Sequence, residues 1–416
     1  MLQYPRLHAP PDDFQFAYRR SVWPNAQTEL TALRRIRRWL FRAGQDCPDI
    51  SLIHQIERGY AQADPLVDQL ITDGVRLDQL LKQPDLHPHG AALQQQMQQL
   101  LPDIDPEFVR RGAAAYRRYP LLQIWLLRNV ALMAGYSIPA LSVPLLHTGA
   151  LVKQALPRLY RTYEFIQAVS RDDALEIGGI AWQHCVQVRQ IHAHVRKSLS
   201  KNNSNDQQQS SSEQSSWNAD YWGLPLNQSD MIATQLQFSL LITLGYRGFG
   251  ASLSVDEQAG IDMLWRQMSV WLGVDLALIP TSQQQALAWL YAYVSTQRLD
   301  YSTGRPLAHA LHDLPKQLMG QDSRLAQWTE AVNASITRLL VGDDIADGLG
   351  LPKPAGRFAV LAVPALLFGL ERSADRVPLI RHSLNRVATW RHQRVDDWMR
   401  LHQRRLASSP LFNQPT

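Results

Sequence analysis

Cysteine is nearly absent: Cys47 and Cys185 are the only two in 416 residues. That excludes a disulfide framework and a multi-cysteine zinc site. Apolar–polar alternation with β-branched residues is also nearly absent, which argues against a sheet. The N-terminus, Met1-Leu-Gln-Tyr-Pro-Arg6, lacks the basic-then-apolar run of a secretory signal. The apolar run after Arg34, Arg35, Arg37 and Arg38 is too short for twin-arginine export. The expected location is therefore the cytoplasm. Acid is missing from one long stretch, since no Asp or Glu occurs between Arg128 and Glu164. Within it, Asn129 to Val152 carries no charge at all and is long enough to span a bilayer of about 30 Å. Gly135, Pro139, Pro144, His147 and Gly149 interrupt that run, so it reads as two buried segments joined by a turn.

What the chain has is helical punctuation. Ser254-Val-Asp-Glu257 forms a capping box before a helix that Gly273 closes. Thr281-Ser-Gln-Gln284 opens another, Asn227-Gln-Ser-Asp230 caps one running from Met231 to Tyr246, and Asp322 opens a fourth. The expected class is all-α, a single domain over residues 1–416 with about ten to fourteen helices. Residues Ser198 to Ser216 (SLSKNNSNDQQQSSSEQSS) hold one apolar residue, Leu199, and read as a disordered Ser/Gln/Asn-rich insertion. The net charge of +5 is local, because Glu371 to Leu406 holds nine arginines against four acids. That basic helical segment and the Arg34–Arg42 cluster are candidates for peripheral contact with acidic lipid. No nucleic-acid partner is expected.

The most informative segment lies between Gly178 and Leu199. Ala181, Cys185, Val188, His192, Val195 and Leu199 recur at steps of four and three, which keeps them on one helical face. Arg189 and Arg196 fall within roughly 60° of His192 around that helix. An imidazole in an apolar seam beside two guanidinium groups suits an iron ligand with anionic propionates nearby. A core histidine bonded to a carbonyl accounts for the same pattern. His184 and His194 are weaker candidates, the latter pointing away from the seam.

Two further sets complete a pattern. Arg158, Arg161 and Thr162 share one face of the preceding helix, and Gly223-Leu-Pro225-Leu-Asn227-Gln228-Ser-Asp230-Met231 leads into Thr234. With Arg189-x-x-His192-Ala-x-x-Arg196 between them, these runs resemble the latex clearing protein (rubber oxygenase) and MpaB-type oxygenase family. The likeness covers roughly Asp64 to Leu351, including Leu272-Gly-Val and Pro280. It implies a globin-like helical fold around a haem b, with O₂ and an isoprenoid-like substrate as partners. On that resemblance His192 is the axial iron ligand, and Arg189 and Arg196 hold the haem or its propionates. Arg158, Arg161, Thr162 and Thr234 then line the distal, catalytic side, and an acceptor orients the other imidazole nitrogen.

The rubber-cleaving members place a lysine where Arg161 stands and use an upstream glutamate as a proposed base. With no acid between Arg128 and Glu164, small or medium isoprenoid-like substrates are expected here instead of rubber. Two other readings remain open. A haem-binding carrier or sensor would share everything but turnover. A terpene-synthase-like lyase would hold Mg²⁺ on Asp343-Asp344-Ile-Ala-Asp347. His309 and His312-Asp313 offer imidazoles at i and i+3, read as a polar helix face for want of a third ligand.

Overall fold

The computed structural model describes Asp12, residues 15–24, 29–42, 49–147, 155–205 and 217–362, and scattered positions from 369 to 397. Among the described residues there is no strand, and one isolated bridge joins Ser21 to Gln297. Fourteen α-helices of eight residues or more are described, so the all-α expectation holds.

The caps explain where helices begin. Ser254 and Glu257 exchange side-chain-to-backbone bonds in the expected capping box, and Asn227 accepts from the Asp230 amide. Two starts shift by one residue, to Ser282 and Ser323, whose hydroxyls accept from Gln285 and Ala326 amides. The helix expected from Met231 to Tyr246 is two helices, Gln228–Phe238 and Leu240–Gly248. At the joint, Ser239 Oγ donates back to the Gln235 carbonyl at 3.1 Å, a competition that bends helices.

Close packing depends on small residues at one crossing. Pro106–Tyr116 lies against Val255–Trp271, and a Cβ on Gly112 would come within 2.3 Å of the Gly260 carbonyl carbon. Only glycine lets these backbones approach so closely.

The helix carrying His192 runs from Ile180 to Asn205, so the first part of the expected insertion is helical. The reason is local: Leu199 is buried in the core, and Ser198 Oγ hydrogen-bonds His147 Nε2 at 2.9 Å. Residues 206–216 lie outside the described residues. Leu199→Ala should therefore cost at least about 2 kcal/mol in urea unfolding. A surface insertion would tolerate that change within about 0.5 kcal/mol.

The uncharged stretch is buried as two segments. The Leu122–Tyr136 helical run and Pro139–His147 meet at a 103° bend, while 148–154 lie outside the described residues. No single described helix is long and apolar enough to cross a membrane; this bent pair passes by length and composition only. Its Arg128 is buried and donates to the Leu311 carbonyl. The Thr31–Arg42 helix turns part of its basic face inward. Arg35 donates to the Leu340 carbonyl at 3.1 Å, and Arg37 pairs with Glu29 at 2.7 Å. Most of 371–406 lies outside the described residues.

Candidate active site

The helix Ile180–Asn205 is held by ion pairs on one flank. Arg189 grips Asp64 through two bonds of 2.7 and 3.0 Å and reaches Gln96 Oε1 at 2.6 Å. Seven residues on, Arg196 pairs with Asp68 at 2.7 Å and donates to the Leu226 carbonyl at 3.3 Å. Leu226 needs that tie, being a non-glycine residue at φ 52°. Asp64 and Asp68 sit at the start of the Pro65–Thr72 helix, where carboxylates are favoured by its dipole. Gly273, at φ 89°, leaves room for the Arg189–Asp64 pair: a Cβ there would meet Asp64 Oδ2 at 2.4 Å.

Arg189 and Arg196, expected beside the haem, are here engaged with carboxylates. Both are buried and already neutralised by carboxylates, and neither lines the cavity described next. They fix the rotation and height of the helix that presents His192.

A cavity of about 390 Å³ opens between the helices Ala155–Val169, Ile180–Asn205, Gln228–Phe238 and Pro139–His147. Its wall brings together five of the residues singled out in the sequence: His192, Arg158, Arg161, Thr162 and Thr234. Most of the rest is apolar, including Leu141, Leu145, Phe165 and Phe238. His184 and His194 are not on the wall, and His194 Nδ1 instead meets the Gln190 carbonyl at 2.8 Å.

Burial, reinforced by the nearby Arg196 charge, pushes the His192 pKa down to about 4, so its imidazole is neutral at physiological pH. Nδ1 is buried and has no hydrogen-bond partner among the described residues, so the expected orienting acceptor is not found there. The depressed pKa has a stability consequence for the haem-free chain. The unfolded histidine binds its proton near pH 6.5, so the unfolded state takes up more protons between about pH 6.5 and 4. Stability is intact above 6.5 and falls below it by about 1.4 kcal/mol per pH unit. On going from pH 7 to 4.5, wild type should lose more in its urea midpoint than His192→Gln; equal losses would contradict the assignment.

The hydroxyls and guanidiniums on the wall differ in what they offer. Thr162 donates its proton to the Arg158 carbonyl at 3.0 Å, and Thr234 donates to the Asp230 carbonyl at 2.8 Å. Both therefore present lone pairs to the cavity rather than donors. Arg158 and Arg161 have no hydrogen-bond or ion-pair partner for their guanidiniums among the described residues. Burial, and secondarily the charge of Arg161, lowers the Arg158 pKa.

Among the described residues one carboxylate reaches the wall. Asp230 accepts from Arg20 at 2.9 and 3.1 Å, from Asn227 Nδ2 at 2.7 Å and from the Tyr293 hydroxyl at 2.6 Å. Arg20 also stacks over Tyr60 at 3.4 Å. An acid so fully engaged is poorly placed to serve as a general base. Sequence reasoning missed Asp64, Asp68, Arg20 and the wall residue Tyr136. Their partners lie 125, 128 and 210 positions away for the three charged residues, and no local spacing signals such pairs.

The alternative metal motifs resolve differently. Asp343 is held by Arg338 at 2.8 Å and Arg357 at 2.6 Å, and Asp347 by Arg338 at 2.7 Å. Asp344 accepts from the Thr31 amide at 2.7 Å. These carboxylates are spent on cations and a helix start, not gathered for Mg²⁺. His309 Nε2 lies 3.1 Å from the Leu349 carbonyl oxygen. His312 and Asp313 do gain a third potential ligand, Glu330, with ligand atoms within 4.8 Å of one another. Lys316 occupies one Glu330 oxygen at 2.6 Å, which opposes a second cation there.

An all-helical protein with one histidine presented to a mostly apolar cavity is similar in fold to a solved structure described as "Structure of Latex Clearing Protein LCP in the closed state". The TM-score is 0.53 at 19% identity, over 79% of this chain and 88% of that one. Residues 117–368 match the family described as "ER-bound oxygenase mpaB/B'/Rubber oxygenase, catalytic domain". The chain belongs to that oxygenase family. A search of curated proteins finds no match.

Proposed function

We propose that the protein is a haem b-dependent oxygenase that uses O₂ to oxidise or cleave a C=C bond of a small or medium isoprenoid-like substrate. The observation that carries this reading is His192: a neutral imidazole, fixed on an ion-paired helix, on the wall of a mostly apolar cavity. The donor set fits haem b. A neutral imidazole ligates iron without first losing a proton, and His192 is on the cavity wall. When bound, the haem supplies the redox-active iron that O₂ chemistry on an alkene requires.

The chain's own residues do the rest. Arg189–Asp64 and Arg196–Asp68 hold the histidine's helix in place. The leucines and phenylalanines of the wall exclude water and accept a hydrocarbon chain. Arg158 and Arg161 are the uncompensated donors on the wall, while Thr162 and Thr234 accept.

Among the described residues the wall offers no free acid, which favours short substrates over polymer. A general base typically contributes about 10²–10⁴-fold, and the one wall carboxylate, Asp230, is bound up by Arg20. Reduced protein given O₂ should form aldehyde or ketone products from short prenyl compounds and little from polyisoprene latex. Rapid latex cleavage would overturn the substrate assignment. No product from any alkene by a haem-loaded protein would favour a carrier or sensor.

A further inference from the structure

Two like charges side by side on an apolar wall are an unusual arrangement for a cavity meant only for hydrocarbon. Arg158 and Arg161 stand one helical turn apart, and both line the cavity. Neither guanidinium has a carboxylate partner among the described residues, whereas Arg20, Arg189, Arg196 and Arg338 all have one. Arg158 feels the charge of Arg161 and carries a desolvation cost as well. Beside them Tyr136 is buried and on the same wall; burial pushes its pKa up to about 12, so it keeps its O–H. Three groups that can donate thus share a mostly apolar wall, and the carboxylate that the described residues bring to it, Asp230, is engaged by Arg20. A carboxylate would relieve the repulsion, repay the desolvation and accept charge-assisted hydrogen bonds.

We infer that Arg158 and Arg161 form a carboxylate-binding subsite for the headgroup of the substrate, which is therefore an amphipathic acid whose hydrocarbon chain lies against the apolar wall. The inference rests on the oxygenase reading for what becomes of the ligand, but not for its binding. Arg158, the more buried of the two, holds the carboxylate; Arg161, exposed at its outer edge, contributes less because solvent screens it.

The test is calorimetric binding of decanoate and 1-decanol at pH 8, in haem-free and haem-loaded preparations of the full chain. Wild type should bind decanoate at least about tenfold more tightly than decanol in both preparations, as one charge-assisted contact would give. Arg158→Gln should erase that preference while leaving decanol affinity unchanged, Arg161→Gln should reduce it, and Arg158→Lys should restore part of it. Should Arg158→Gln fail to fold, by circular dichroism, the exposed Arg161→Gln carries the comparison. Equal binding of acid and alcohol by wild type, or a preference that survives the Arg158→Gln/Arg161→Gln double variant, overturns the subsite. A preference present without haem but lost on loading gives the arginines to the haem propionates and overturns the substrate assignment. Decanoate preference in a chain that takes up no haem keeps the subsite and removes the oxygenase reading. Haem uptake without the preference does the reverse.

Discussion

Replacing His192 with alanine yields a colourless protein that keeps its helical circular dichroism. The side chain lies on the cavity wall, so its loss removes the proposed iron ligand and little of the core. The ion pairs that hold its helix belong to Arg189 and Arg196 and survive the substitution. Haem content per folded molecule should fall by at least tenfold, read from the Soret absorbance against protein concentration. His184→Ala and His194→Ala should keep their colour, since neither residue borders the cavity. Full haem content in His192→Ala, with loss in either of the others, would put the ligand elsewhere.

Asp64→Asn has the opposite signature: a large loss of stability and little loss of haem from the protein that remains folded. The Arg189 side chain is 1% exposed, and its two bonds to Asp64 neutralise it. Removing one partner of a buried pair leaves an uncompensated charge and costs about 3–5 kcal/mol. Asp68→Asn should cost less, because that carboxylate is 35% exposed and water can replace it. Urea midpoints measure the stability, and the ratio of Soret to protein absorbance measures the haem. A neutral Asp64→Asn together with a bleached but stable Arg189→Ala would restore Arg189 to the cofactor.

These two expectations show which parts of the molecule local sequence carries. Helices were legible because their signals are local: the Ser254–Glu257 box and the Asn227 cap lie within one turn of the amides they satisfy. The spacing that set His192 in an apolar seam is local too, and so is the pairing of Arg158 with Thr162. What was not legible is what each arginine faces. Arg189 and Arg158 look alike in sequence, each on an amphipathic helix beside a candidate ligand. One meets Asp64 across 125 positions and becomes a brace; the other meets no acid among the described residues and stays available to a ligand. The polar composition of Ser198–Asn205 misled for a related reason. One buried leucine and one hydrogen bond to His147 carry the helix on to Asn205, against the polar run around them.

The central claim is that His192 presents haem iron to O₂ inside this cavity, and an absorption spectrum of the purified full chain tests it most directly. Supplied with haem and titrated with dithionite under nitrogen, the protein should show a Soret band that shifts on reduction and shifts again on admission of O₂, with none of these changes in His192→Ala. A wild-type chain that stays colourless after reconstitution, or a spectrum identical to that of His192→Ala, would contradict it.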